Sequence, residues 1–407
     1  MISELVTLEG HIIDSLTLSR VLDVILELGG SYYVESFEMG RTREQMSRAQ
    51  LRVSADDPDT LDDILSEIVR EGVVTRDADA CLAPCELAGV YPDEFYSTTN
   101  LPTHVRVSGA WLPVRNIEMD CAIRVRTVGG APVAECVTFQ DVRAGDTLVV
   151  GHEGIRASRW EPEKKEEGFG FMTSRISTER PKRTLIRRVA ENMRATRAAG
   201  EAILFVGGPA VIHSGGARPL ERMIRAGWIN RLHAGNALAT HDIEVQLFGT
   251  SLGVGLEHGT PFEHGHQHHL MAINAIRRAG SIKCAVEQGV IRAGVMHACV
   301  TCGVPYVLAG SIRDDGPLPD VVTDVVEAQR AMRKLVDGIG MAIMVATTLH
   351  SVAMGNILPA AVRVVCVDSD ADSVIKLADR GTHQAVGLVT DCEYFLRELE
   401  RSLQEAG

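Results

Sequence analysis

Apolar positions in the first 75 residues follow two periods in turn. Leu5-Val6-Thr7-Leu8 alternates like a strand, and Leu18, Val21, Leu22, Ile25 and Leu28 then recur at helical spacing before Gly29-Gly30 stops the pattern. Strands follow at Tyr32–Phe37 and Ala49–Val53, flanking a charged turn. Pro58 opens a second helix with Leu61, Ile64, Leu65, Ile68 and Val69 on one face. The order β-α-β-β-α predicts a split ferredoxin-like unit over residues 1–78. From residue 79 to 158 the helical period disappears. Short strands such as His104–Val107, Ile123–Arg126 and Thr147–Val150 alternate with Gly and Pro turns, which predicts a small β domain. Residues 159–182 are charged and glycine-punctuated, as a linker is, yet they carry Phe169, Phe171 and Met172, which suits a segment that docks as a lid.

Beyond residue 183 the pattern becomes helix, apolar strand, helix, repeated to residue 407. Buried-type strands are read at Ala202–Val206, Pro305–Ala309, Met341–Val345 and Val362–Val367, with a weaker one at Ala385–Leu388. Continuous apolar strands joined by amphipathic helices predict a doubly wound, Rossmann-like parallel sheet. The fold class is therefore α/β, with the ferredoxin-like α+β unit and the small β domain ahead of it. Ligands in such sheets sit beyond the carboxyl ends of the strands.

Composition narrows the class of function. The 407 residues suffice for about two or three domains. The 54 acidic against 41 basic residues leave a net charge of −13, which argues against a nucleic-acid or anionic-membrane surface. Nine scattered cysteines and a start at Met1-Ile2-Ser3-Glu4 without a signal peptide fit reduced thiols in the cytoplasm. No apolar run approaches the ~20 residues that span a bilayer. With 38 glycines and 4% aromatics, the balance is that of a small-molecule enzyme.

Polar residues gather where strands end. Gly207-Gly208-Pro209 to Gly216 is a glycine-rich turn, able to approach a phosphate or simply to connect. Gly235-Asn236 opens a helix carrying Asp242 and Glu244, where Asn236 serves as a helix cap or as a ligand contact. Gly310-Ser311-Ile312-Arg313-Asp314-Asp315-Gly316-Pro317-Leu318-Pro319-Asp320 sets one arginine beside two carboxylates in a proline-stiffened turn. Arg313 suits a bidentate carboxylate clamp, and Asp314 and Asp315 suit an ammonium or a proton exchange; an internally salt-bridged turn would use the same residues. Thr347, Thr348, His350 and Ser351 follow another strand. Asp368 ends the next, where a carboxylate takes ribose hydroxyls or caps a helix, and Asp391 echoes it. His258, His264, His266, His268 and His269, with Cys299 and Cys302, are the alternative zinc chemistry. Without a second cysteine pair or an H-E-x-x-H pattern, no metal is expected, and the two thiols read as buried.

The opening Leu8-Glu9-Gly10-His11-Ile12-Ile13-Asp14-Ser15 resembles the conserved region named for plant lysine-ketoglutarate reductase/saccharopine dehydrogenase. The stretches 234–242, 309–320 and 349–356 resemble the archaeal-type NAD-dependent ornithine cyclodeaminase family, which also forms the C-terminal part of cyanobacterial arginine dihydrolase/ornithine cyclodeaminases. The resemblance covers essentially the whole chain. It implies NAD as cofactor and conversion of L-ornithine to L-proline and ammonia by hydride abstraction, cyclisation and hydride return. It further implies that Asn236, Ala237, Asp242, Gly310, Ser311, Ile312, Leu349, His350, Asp368 and Asp391 contact NAD, and that Arg313, Asp314 and Asp315 face the substrate. Two other readings stand beside it: an opine- or saccharopine-type dehydrogenase, which would accumulate NADH, and a non-catalytic NAD or amino-acid sensor. A homo-oligomer is expected of an α/β enzyme of this size.

Overall fold

A computed structural model of the chain describes residues 2–10, 17–40, 45, 47–70, 73, 78–157, 182–252, 254–255, 267–314, 316–380 and 386–405. The chain divides into two compact units, one within residues 1–169 and the other within 170–407. The lid segment expected at Phe169–Met172 lies outside the described residues.

The first unit opens with β1 (Ile2–Gly10), α1 (Thr17–Glu27), β2 (Ser31–Glu38), β3 (Ser47–Ala55) and α2 (Pro58–Arg70). The strands make an antiparallel sheet in the order β1-β3-β2, which is the order of the first three strands in a ferredoxin-like sheet. Alternation along β3 turns Ala49, Leu51 and Val53 inward against Val21 and Ile25 of α1 and Ile64 and Ile68 of α2. A second sheet follows, built from β4 (Cys81–Pro84), β5 (Thr103–Val107), β6 (Ala110–Arg115), β7 (Ala122–Val128), β8 (Ala131–Val137), β9 (Thr147–Val150) and β10 (Ile155–Ala157). Its order is β10-β5-β6-β8-β7-β9-β4. Val69 of α2 is buried in the core of this sheet with Tyr96, Val105, Ile123 and Ile155. The two expected pieces thus share a helix and pack as one unit.

The second unit begins at α3 (Lys182–Ala198) and β11 (Ala202–Gly207), then α4 (Ala210–His213), α5 (Ala217–Arg225), β12 (Arg231–Gly235) and α6 (Asn236–Phe248). A small hairpin, β13 (Thr250–Ser251) and β14 (Val254–Gly255), precedes α7 (His268–Ala279), α8 (Ile282–Glu287), α9 (Val295–Thr301) and β15 (Tyr306–Ala309). The chain closes with β16 (Val321–Val322), α10 (Val325–Leu335), β17 (Ile339–Val345), α11 (Thr348–Ile357), β18 (Arg363–Asp368), α12 (Ala371–Arg380), β19 (Val386–Val389) and α13 (Cys392–Gln404).

All seven strands of the main sheet run parallel, in the order β16-β15-β12-β11-β17-β18-β19. Without the short edge strand β16 this is the 3-2-1-4-5-6 order of a dinucleotide-binding sheet. Ile203, Phe205 and Ile343 face a core closed by α3, α5, α6, α9 and α13, whereas Leu204, Val206 and Met344 face α10 and α11. Helices therefore cover both faces. The strand order reverses between β11 and β17. β12, Arg-Leu-His-Ala-Gly, is a central strand that apolarity does not mark, because its buried interior is a histidine.

Candidate active site

The carboxyl edge of the parallel sheet gathers many of the residues singled out from the sequence. Gly208 follows β11, Asn236 and Ala237 open α6 directly after β12, and Gly310, Ser311 and Ile312 follow β15. Leu349 and His350 lie in the first turn of α11 after β17, Asp368 ends β18, and Asp391 follows β19. Parallel strands bring all these ends to one side. At the reversal point the chain after β11 runs hard against the chain after β17. The Gly208 N–H donates to the Val345 carbonyl at 3.0 Å, and a Cβ on Gly208 would lie 1.8 Å from the Ala346 oxygen. Only glycine fits there.

Two imidazoles meet beside this point. His350 lies over Gly235, where a Cβ would come within 2.9 Å of its Cε1. Its Nδ1 pairs with Thr347 Oγ1 at 3.1 Å, and its ring meets that of His233 edge-on, with centroids 5.1 Å apart. His233 is fully buried. Its Nδ1 faces the Val307 carbonyl at 3.2 Å, and its Nε2 is buried with no hydrogen-bond partner among the described residues. An orphaned buried nitrogen costs about 1–3 kcal/mol. Burial, then His350, pushes the His233 imidazole down to about 4. Burial likewise lowers His350, while the nearby Asp314 carboxylate pulls it up. The neighbours of His233 in space, Val307 and His350, are far away in sequence.

The turn after β15 is held at both ends. Leu318 N–H donates to Asn236 Oδ1 at 3.0 Å, Arg277 donates from Nη2 to the Pro317 carbonyl at 2.8 Å, and Asp320 accepts from Ile282 N and Tyr306 Oη. Between these ties Ser311 N–H donates to the Asp314 carboxylate at 2.8 Å and Ser311 Oγ accepts from Arg313 N–H at 3.1 Å. Asp314 thereby shapes the turn and stands near His350, while Ile312 and Arg313 are exposed. Asp315 lies outside the described residues.

Several of these residues make local structural hydrogen bonds. Gly235, not Asn236, occupies the N-cap of α6, and Asn236 ties the 310–320 turn instead. Asp242 is buried one turn and a half into α6, with Oδ1 accepting Val295 N–H at 3.0 Å and Oδ2 accepting Met296 N–H at 2.8 Å. It anchors the first turn of α9 to α6. Burial pushes its carboxyl up to about 7 against the pull of these two N–H groups. The helix after Asp368 is capped by Asp370, which accepts from Ser373 N, while Asp368 accepts the turn's Asp370 N–H at 3.0 Å. Asp391 caps α13 through Tyr394 N. At the end of the second strand, where a ribose-binding carboxylate is usual, the chain has Gly235; the edge carboxylates follow the fifth and sixth strands.

On the metal alternative, His258, His264 and His266 lie outside the described residues. Among the described ones, no group of three or more His, Cys, Asp or Glu is arranged to hold an ion. Cys299 is buried as expected of the C-x-x-C pair, but Cys302, one position past α9, is exposed.

Residues 187–399 match the family described as arginine dihydrolase ArgZ-like, C-terminal, Rossmann fold; residues 3–101 match the LOR/SDH bifunctional enzyme conserved region, and 102–186 the ArgZ-like C-terminal first region. Ornithine cyclodeaminase of Methanopyrus kandleri is 49% identical over 98% of this chain and 97% of its own. Among solved structures, apo ArgZ, a cyanobacterial arginine dihydrolase, superposes with TM-score 0.87 at 39% identity; it covers all of this chain, which spans 58% of the ArgZ chain. A ternary complex of AgrE with ornithine and NAD+ matches at TM-score 0.55 and 41% identity, over all of this chain and 58% of its own.

Proposed function

The chain belongs to the ornithine cyclodeaminase family, whose members carry the ArgZ-like C-terminal Rossmann fold, and from that premise we propose that it converts L-ornithine to L-proline and ammonia with bound NAD. The observation that carries the reading is the Arg313–Asp314 turn standing beside His350 at the carboxyl edge of the seven-stranded parallel sheet. The chain's residues fit NAD. Gly208 and Gly235 leave backbone, not side chains, at the ends of the first two strands, and the edge runs on to a carboxylate at Asp368. A dinucleotide laid along this edge would set its adenosine toward Asp368 and Asp391 and its nicotinamide toward His350 and Asp314.

Bound NAD supplies a hydride acceptor that later gives the hydride back, so the cycle needs no second redox partner. The chain's own task is to hold ornithine. Exposed Arg313 suits the α-carboxylate, because a guanidinium binds a carboxylate through two parallel N–H bonds. Asp314, fixed by Ser311 N–H, presents a charge to an amine. His350, kept neutral near pH 7 by burial, adds a polar wall without a like charge to repel that amine. Incubating the protein with L-ornithine and NAD should give proline and ammonia in equal amounts with no lasting NADH absorbance. NADH rising with product would replace this reading by a net amino-acid dehydrogenase.

A further inference from the structure

The β1-β3-β2 sheet of the first unit ends in a strand that its own helices do not cover. On β1 and β3 the helix-facing side chains are buried: Val6 and Leu8 on the first, Ala49, Leu51 and Val53 on the second. On β2 all eight residues are exposed. Its register with β3 sets Tyr32, Val34 and Phe37 opposite Val53, Leu51 and Ala49, hence on the same helix-facing side, yet they are 37%, 42% and 42% exposed. Tyr33, on the other side opposite Arg52, is 66% exposed, and Met39, just past the strand, is 65% exposed. Among the described strands β2 pairs only with β3, so every second residue along it turns its N–H and C=O to the open side. Proteins commonly blunt such an edge with lysine or proline, and β2 has neither.

We propose that β2 is an interface between two copies of this chain, paired antiparallel about a two-fold axis so that their two sheets join into one. The strand is self-complementary. A bulge between Val34 and Ser36 inserts Glu35, so Tyr32 and Phe37, which strict alternation would put on opposite sides, share the helix-facing side. With the axis between Val34 and Glu35, Tyr32 meets the partner's Phe37 and Tyr33 meets the partner's Ser36. Ser31 meets the partner's Glu38, and the members of each of these pairs lie on one side of the joined sheet. Symmetry makes the aromatic pair twice, which favours a second copy over a foreign strand. No carboxylate faces a carboxylate in this register, and the Glu35 charge is already met within its own chain by Arg52 Nε at 2.6 Å. At ~200 Å² for a large side chain, the exposed parts of Tyr32, Tyr33, Val34, Phe37 and Met39 come to about 500 Å² per copy. The pair would thus bury about 1,000 Å², the threshold of a specific interface, before the joined backbone is counted.

The test is sedimentation velocity of the full chain over a range of micromolar concentrations, comparing unaltered protein with Tyr32→Lys, Phe37→Glu and the double variant. The unaltered chain should sediment as a dimer or a multiple of one. Each single substitution removes both aromatic pairs and sets a charge against an apolar ring, so it should weaken association at least about tenfold. The double variant sets lysine against glutamate at both ends of the strand, so it should associate more tightly than either single variant. A monomeric unaltered chain overturns the proposal. So do single variants that assemble as the unaltered chain does, and so does a double variant that dissociates as readily as the single ones. Where a variant loses its far-UV circular dichroism, amide exchange on the unaltered chain decides. Every amide along β2 should then be protected, whereas protection of alternate amides alone, the pattern that β3 by itself provides, overturns the proposal.

Discussion

Gly208 is the residue on which the dinucleotide edge depends most directly. Its missing side chain lets the chain after β11 lie against Ala346, and a methyl there would force the two turns apart. Gly208→Ala should weaken NAD binding at least about tenfold, read by fluorescence titration, while far-UV circular dichroism stays unchanged. Arg313→Ala removes a guanidinium from an exposed turn without disturbing the Ser311–Asp314 bond, so it should raise KM for ornithine about tenfold or more with Kd for NAD unmoved. An unchanged KM would take Arg313 out of the carboxylate role. Asp242 makes a pH prediction. Its folded pKa of about 7 stands above the ordinary value of 3.8, so its favourable contribution is full below about pH 4 and is lost as pH rises to about 7. Asp242→Asn should flatten that part of the stability–pH curve, measured by thermal unfolding of the protein at matched ionic strength.

Among elements, α6 organises the site, and little in its sequence says so. The stretch Asn236–Phe248 has no clean apolar stripe, because polar residues on several faces are buried against different neighbours: Asn236 and Thr240 toward the 310–320 turn, Asp242 toward α9, and His241 and Glu244 toward α4 and β13. Such a helix fails the usual amphipathic test yet ties four parts of the unit together. The consequence is measurable at its first residue. Asn236→Ala leaves the Leu318 N–H without its acceptor, so it should cost about 1–2 kcal/mol and speed hydrogen exchange at that amide more than at the helix itself. Exchange at Leu318 that matches the unaltered protein would show that the Arg277 and Asp320 ties alone hold the turn. By contrast α1 and α2 were readable as helices from their apolar spacing, since each presents an apolar face to the β1-β3-β2 sheet.

For the whole molecule, the all-parallel sheet sets where chemistry can occur, since every strand delivers its following turn to the same edge. The proposed redox-neutral reaction at that edge has an isotopic signature. Ornithine carrying deuterium at Cα should give proline that keeps it at Cα, because the hydride returns to the carbon it left, and mass spectrometry of the product decides this. Loss of the label to solvent would exclude hydride return and favour proton abstraction at Cα.

The alternation and helical spacing of apolar residues determined the local elements, and the repeated strand–helix pattern determined the doubly wound class. The same pattern implied that polar turns after apolar strands lie at one edge. These properties are local: they follow from period, turn residues and parallel connection. Tertiary structure decided the second strand, the union of α2 with the β sheet of the first unit, and the roles of buried polar side chains. The surroundings of His233, Asp242 and Glu244 have no local mark in the sequence, for what defines each is a partner across the fold: Val307 and His350, the amides of Val295 and Met296, and the histidines and hydroxyls around α6. Burial turns these groups from ordinary helix and strand residues into high-stakes ones, because a polar atom out of water must be paired or bear a cost, and only the assembled fold says which.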